Sequence, residues 1–284
     1  PLLRSLSSQM FYRNVLVEGC CHGALDDIYA SLKEVERRRG LRVDLLLICG
    51  DFQATRDEAD LRCMAVPKKY RQLMDFPQYY DGRKVAPVLT IVIGGNHEAS
   101  NYFRSVRYGG WIAPKIYYLG AAGVVRWAGL RIAGISGIYN ERHFRDAHSS
   151  GGSGSLTGAY HVREVDVFRL ARLGDDEPKV DVFLSHDWPR GIDQFGDVRG
   201  LVRRKPHFKD DIAKGQLGSP PNMTLLRLVK PRYWFSAHLH VKFPAVVAHP
   251  ETHTTTKFLA LDKCLPRRDF LQLVTLTTSG KKKK

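Results

Sequence analysis

The sequence has no long hydrophobic run. Its longest, DLLLIC at 44–49, falls far short of the roughly 20 apolar residues that a membrane span needs. Cysteine is scarce too. The five cysteines (20, 21, 49, 63 and 264) form no even, regularly spaced framework, and no cleavable signal sequence precedes them. Free thiols in a reducing intracellular compartment are therefore expected. Acid is in deficit: 29 Asp and Glu against 44 Lys and Arg leave a net charge of +15. Such an excess favours polyanionic partners through steering and counterion release, although a generally basic soluble surface has the same count. Discounting the tail KKKK at 281–284 leaves +11; that tail reads as an appended remnant, a solubilising end or a nuclear-address fragment. No repeat is visible. The one low-complexity stretch, SSGGSGS at 149–155, is expected to be a flexible exposed loop.

What remains is ordinary globular material, 284 residues with 43% hydrophobic and 26% charged content, long enough for a sizeable core. MFYRNVLVEG leads straight into an apolar run, so Met10 is read as the start and residues 1–9 as a leader or translation artefact. Strand-length apolar runs occur at 14–17, 44–49, 88–93, 180–185 and 233–237, each followed by a turn rich in Gly, Asp, Asn or His. Between the first two, LDDIYASLKEVERRR has helical spacing, acids in its first turn, arginines in its last, and Gly40 placed to end it. Strand, helix, strand points to a βαβ unit. Further on, 124–127 and 131–136 flank Ala128-Gly129 as a hairpin, and 243–248, 255–261 and 270–276 are strands without long helices between them. The expected fold class is α/β, a four-layer α/β/β/α sandwich of two mixed sheets occupying 10–280.

The unusual polar residues all follow the carboxyl ends of expected strands, where open α/β sheets bind ligands. They are Cys20 and His22, Asp51, Asn96 and His97, His186, and His238 with His240. Singly, several are weak. Gly50-Asp51 is ordinary turn chemistry. Asn96 offers an amide oxygen or caps a helix starting near Glu98. His186 alone reads as a structural histidine. In SAHLHVKF, strand alternation puts His238 and His240 on one face with Leu239 turned to the core, which favours metal over structure.

Jointly, the order Cys-x-His, Gly-Asp, Gly-Asn-His-Glu, His and His-x-His resembles the calcineurin-like metallophosphoesterases over about 15–276. The resemblance implies a metallophosphoesterase-like fold and a two-metal site. Cys20, His22, Asp51 and His240 would hold one ion, and Asp51, Asn96, His186 and His238 the other. Two cations about 3.5–4 Å apart suit phosphodiester hydrolysis because they stabilise both the attacking and the leaving oxygen. A bridging carboxylate, Asp51, offsets their repulsion. This ligand mixture suits two divalent transition-metal ions, Fe(II), Zn or Mn, rather than Ca. His97 resembles the family's non-ligating histidine and is expected to contact the phosphate and protonate the leaving oxygen; Glu98 beside it is the second catalytic candidate.

Most of that superfamily has Asp where Cys20 stands. A buried cysteine is ordinarily a small hydrophobe, but at this slot Cys20 is read as functional and Cys21 as turned into packing. The substitution, together with GCCHGALDDIY, ICGDFQATRDEADLRCMAVPKKYR, VIGGNHEASNY, FLSHDWPRGI, YWFSAHLHVKF and TKFLALDKCLPRRDFLQ, resembles the RNA lariat debranching enzyme family. That resemblance implies hydrolysis of the 2′–5′ phosphodiester at the branch point of excised introns. It also implies branched lariat RNA as partner and a nuclear location with shuttling to the cytoplasm. A thiolate would turn one metal site from hard to soft, disfavouring Mg and favouring Zn or Fe(II).

Family analogy further places a recognition loop at about 138–161, where Phe144, Arg145 and His148 suit stacking and phosphate contact with unpaired RNA, or are merely solvated. SSGGSGS stands where the family usually has a Pro-Tyr-bearing segment. Lys68, Lys69 and Arg71 either line a substrate groove or end a helix in solvent. The family usually continues past the DFLQ strand into a C-terminal region, which is expected to be absent here. Two other readings stand beside debranching. One is a metallophosphoesterase of other specificity, a nuclease or phosphatase, against which Cys20 argues. The other is a non-catalytic scaffold that binds RNA or protein, which should have lost ligands.

Overall fold

Among the described residues, twelve strands supply the frame, and alternation along them decides which core each side chain enters. The computed structural model describes residues 9–148 and 156–280. The first strands are β1 (Gln9–Glu18), β2 (Leu45–Ile48), β3 (Thr90–Val92), β4 (Gly110–Ala113) and β5 (Ile116–Tyr118). There follow β6 (Ala122–Trp127), β7 (Leu130–Ile135), β8 (Val182–Ser185), β9 (Tyr233–Ser236), β10 (Phe243–His249), β11 (Thr254–Ala260) and β12 (Leu271–Gly280). They make two six-stranded sheets, ordered β12-β1-β2-β3-β5-β4 and β10-β11-β9-β8-β7-β6. In the first, β1, β2, β3 and β5 run parallel, with β12 and β4 antiparallel at the edges. In the second, β7, β8, β9 and β11 run parallel between the antiparallel β6 and β10. Both sheets are therefore mixed.

The central strands read as unbroken apolar runs because both their faces are covered. Val15, Val17, Leu45, Leu47, Ile91 and Ile93 of the first sheet join Ile132, Val182, Leu184 and Phe235 of the second in one buried cluster between the sheets. The alternate residues go outward. Leu16, Leu46, Ile48 and Val92 pack with Leu25, Ile28 and Leu32 of the helix Leu25–Arg39. On the far side, Ala133, Phe183 and Trp234 pack with Val167 and Leu170 of the helix Glu164–Ala171 and with Leu225 and Leu226 of the helix Pro220–Val229. Each fully buried leucine or valine contributes about 1.5–3 kcal/mol relative to exposure. The four expected layers are present.

The helix Leu25–Arg39 has the bounds its sequence predicts. Asp26 and Asp27 lie in its first turn and Arg37 to Arg39 in its last; Gly40, at φ 61, closes it with an N–H bond to the Glu36 carbonyl. The hairpin at Ala128-Gly129 forms as expected, with Trp127 opposite Leu130. Two strands were not expected, β4 and β5. Both are very short, and Trp111 of β4 is exposed at the sheet edge, so neither leaves a clean alternation. β1 begins at Gln9, ahead of Met10. The rest of the expected leader, the Gly/Ser stretch 149–155 and the tail 281–284 lie outside the described residues. Among the described residues, no helix is long and apolar enough to cross a membrane.

Candidate metal centre

Five parallel strands end on one rim. The loops after β1, β2, β3, β8 and β9 carry Cys20 and His22, Asp51, Asn96 and His97, His186, and His238 and His240 respectively. One ligand atom each from Cys20, His22, Asp51 and His240 lies within 4.8 Å of all the others. His22 Nε2 is 3.4 Å from His240 Nε2 and 3.7 Å from Asp51 Oδ2. The other Asp51 oxygen faces the second group: His186 Nε2 lies 3.2 Å from Oδ1 and 3.3 Å from Asn96 Oδ1. The His238 ring is 4.9 Å from that of His186, and the His238 backbone N–H donates to Cys20 Sγ at 3.2 Å. Asp51 thus faces both groups, and all seven expected ligand residues converge.

Convergence rests on left-handed backbone at four of the seven. His22, Asp51, His238 and His240 have φ of 47, 42, 63 and 49, the left-handed region. Each such residue costs on the order of 1–3 kcal/mol and persists only where the surroundings over-determine it, as at ligand sites. This corrects one expectation. The HLH doublet does not share a face by strand alternation, because β9 ends at Ser236 and both histidines sit in left-handed turns beyond it. Leu239 does pack against the core as expected. Cys20 and Cys21 part company as expected too, Cys20 joining the inter-sheet cluster and Cys21 the helix-side one.

Electrostatics fits metal donors. Burial lowers His22 to about 4 and His240 to about 3, and lowers His238 as well, so these imidazoles keep a free lone pair at neutral pH. Burial pushes Asp51 up, but the charge of His186 and its hydrogen bond outweigh it and hold the carboxyl well below its usual range. His186 responds in the opposite sense. Burial lowers it, and the Asp51 carboxylate raises it by more. Its Nδ1 meets the Cys49 carbonyl at 2.9 Å, which turns Nε2 toward the cluster. Burial, with Asp51 and Glu18 nearby, raises the Cys20 thiol well above the usual thiol value. A cation here would reverse that, since a coordinating thiol is deprotonated outright. A set of buried thiol and carboxylate with part-buried neutral imidazoles fits a divalent transition metal.

His97 is half-buried beside the cluster. Its backbone N–H donates to Asp51 Oδ1 at 2.9 Å, and its ring packs edge-on against that of His22 at 4.8 Å. Glu98, expected as a second catalytic group, is only 1% exposed. Its carboxylate accepts backbone N–H bonds from Phe52 at 2.7 Å, Gln53 at 2.9 Å, Ala54 at 3.4 Å and Gly95 at 3.0 Å. It therefore ties the Asp51 loop to the Asn96 loop, a positioning role. Burial, the largest influence, raises it to about 7 against those donors. Gly95 has its own reason: a β-carbon there would stand 2.1 Å from Asp51 Oδ1.

The three expected RNA-contact residues stand apart from the cluster. Phe144 is partly buried against the core and packs edge-on against Tyr139 at 5.5 Å. Arg145 is exposed at the end of the short helix Glu141–Phe144. His148 pairs with Asp166 at 2.5 Å and lines a cavity of about 170 Å³. Gly94 and Gly95 belong to the wall of that cavity, with Arg104, Arg107, His161 and Arg163. Arg163, 4% exposed, donates to the carbonyls of His143 and Gly158. Sequence reasoning missed Tyr70, whose ring lies 6.4 Å from that of His97 with Lys69 Nζ 4.8 Å from its centre. The only signal was an aromatic inside the basic stretch PKKYR.

Known proteins share this arrangement of sequence. The family model "Calcineurin-like phosphoesterase" matches residues 13–242, and the model "Lariat debranching enzyme, C-terminal domain" matches residues 253–284. The chain is 53% identical over 270 residues to a lariat debranching enzyme of Homo sapiens, covering 92% of this chain and 49% of that protein. Similarity to the Gallus gallus lariat debranching enzyme is 53% over 270 residues, with 92% and 50% covered. The Arabidopsis thaliana lariat debranching enzyme is 51% identical over 265 residues, with 92% and 63% covered. The chain spans about half the length of the vertebrate relatives it matches.

Proposed function

The chain belongs to the calcineurin-like phosphoesterase family, and from that premise we propose that it hydrolyses the 2′–5′ phosphodiester at the branch point of excised intron lariat RNA. The observation that carries the reading is Cys20. A thiol completes a cluster of His22, Asp51 and His240 at a slot where most of the superfamily has a carboxylate. The relatives named as lariat debranching enzymes, about half identical over 92% of this chain, support the substrate.

The family implies divalent metal ions. In this reading Cys20, His22, Asp51 and His240 hold one, and Asp51, Asn96, His186 and His238 hold the other. Bound there, two cations would polarise the phosphoryl group and stabilise charge on the attacking and leaving oxygens. The thiol favours Fe(II) or Zn on its side, with Mn acceptable to the oxygen and nitrogen donors of the second group. Asp51 keeps its charge and presents one oxygen to each group. His186 is oriented by the Cys49 carbonyl. Glu98 fixes the relation of the Asp51 and Asn96 loops through their backbone amides. His97, half-exposed at the rim, gives its proton to the leaving ribose oxygen, a contribution of about 10²–10⁴-fold. His148, Arg145 and the cavity beside Gly95 contact the unpaired RNA around the branch.

The test is incubation of the protein with Fe(II), Zn or Mn and a branched RNA carrying one 2′–5′ bond, next to a linear 3′–5′ control. Release of the 2′ arm with the control intact is expected. Cleavage of the control at an equal rate would remove the assignment.

A further inference from the structure

We propose that a basic groove beside His240 is the track for the phosphate backbone of one RNA strand leading to the branch, an inference that rests on the debranching reading. The groove measures about 290 Å³ and is lined by Arg204, Lys205, Lys242, Arg267 and Arg268, with His240 at the metal centre in its wall. Its cations come from three distant segments: the end of the helix Val198–Arg204, the turn after the HLH doublet, and the connection between β11 and β12. Among the described residues, only two carboxylates line it. Asp262 pairs with Arg268 at 3.3 Å and Asp269 with Lys242 at 3.8 Å. Among the described residues, Lys205 and Arg267 form no ion pair. Lys205 is lowered by burial first and then by the charges of Arg268 and Lys263, in spite of Asp262. Cations held this close together repel one another, and a polyanion laid along them relieves the repulsion.

Placement narrows the occupant. The groove opens at the His240 end of the cluster, whereas the cavity under Gly94 and Gly95 abuts the Asp51 and His186 end. A branch nucleotide joins three strands, so a site that cleaves it needs more than one path for RNA leading to the metals. A phosphatase acting on a small monoester needs none. Among the described residues the groove presents charge and, apart from His240, no ring in its lining, which suits backbone contact independent of base identity.

The experiment uses the double variant Lys205→Gln/Arg267→Gln, its charge-retaining counterpart Lys205→Arg/Arg267→Lys, and two branched substrates, one minimal and one with long arms. The ratio of kcat/KM for the long substrate to that for the minimal one should fall about tenfold in the charge-removing variant, and the charge-retaining variant should restore it. The salt slope of single-stranded RNA binding should flatten by about 0.7 for each cation removed. Equal losses on both substrates, an unchanged slope, or tighter binding of a polyacidic peptide than of RNA would overturn the groove. Failure of the wild-type protein to cleave any branched RNA would instead remove the debranching reading, and the salt slope would still judge the groove.

Discussion

Gly95→Ala is the sharpest perturbation of the centre, because the three atoms nearest the added carbon all belong to the cluster's Asp51 and His186. It would stand 2.1 Å from Asp51 Oδ1, 2.4 Å from the Asp51 amide nitrogen and 2.7 Å from His186 Nε2. Something must move by about 1 Å to reach an ordinary contact, and a displacement of that size at a reacting centre costs about 10²-fold in rate. The Gly95 peptide itself is held by its N–H bond to Glu98 at 3.0 Å, so the shift falls on the Asp51 carboxylate. That carboxylate faces both metal groups, so a single methyl group should disturb both at once. The assay is kcat/KM on a branched RNA, with bound metal counted and thermal unfolding recorded on the same preparation. The expected result is a fall of about 10²-fold with metal content reduced, equivalent to ~2.7 kcal/mol of barrier. Gly40→Ala is the control. Beyond its own neighbours in the chain, no described atom lies within 4 Å of its β-carbon, and its φ of 61 should cost about 1 kcal/mol of stability without touching activity. Wild-type rate and metal content in Gly95→Ala would refute the placement of Asp51 between two ions.

Further outcomes follow from the same geometry. His97→Ala should keep its metals and lose about 10²–10⁴-fold in kcat; loss of metal instead would make His97 a ligand. Glu98→Gln turns an amide donor toward backbone N–H groups that need an acceptor. Thermal melts should show about 1–3 kcal/mol of lost stability, and chelator competition a metal affinity lowered about 10–100-fold; unchanged affinity would remove its positioning role. Metal binding should release protons from only some ligands. His22 and His240, lowered to about 4 and about 3, are already neutral above pH 6, whereas the raised Cys20 thiol and His186 must each give one up. Affinity should therefore rise with pH through neutrality, and calorimetry in buffers of different ionisation enthalpy should find about one to two protons released at pH 7. Release of three or more would mean that the other imidazoles are protonated.

Much of this molecule is legible before any coordinate is seen, and what is not has identifiable causes. The runs around Val15, Leu47, Ile91, Val182 and Phe235 announce buried parallel strands, and the residues just after them are the ones that converge. The helix Leu25–Arg39 is exact in its bounds because acids, arginines and Gly40 all mark its ends. Glu98 shows what sequence hides: nothing in the chain signals the backbone amides of Phe52, Gln53 and Gly95 from which its buried carboxylate accepts. The HLH doublet has the right partners by the wrong route, since left-handed turns have no side-chain period. Phe144 reads as a loop residue, and the half of it that packs against the core is set by tertiary contacts that the local sequence does not show. Arg204, Lys242 and Arg267 are ordinary surface cations in the chain, and the fold alone gathers them beside His240.

The participation of sulfur is open to direct spectroscopy. Co(II) substituted into the apo protein should give a thiolate-to-cobalt charge-transfer band in the near ultraviolet. Cys20→Asp should bind the ion and lack the band, while Cys21→Ala keeps it. A wild-type protein that binds Co(II) without the band, or a Cys20→Asp protein that retains it, would contradict a metal centre built on this cysteine.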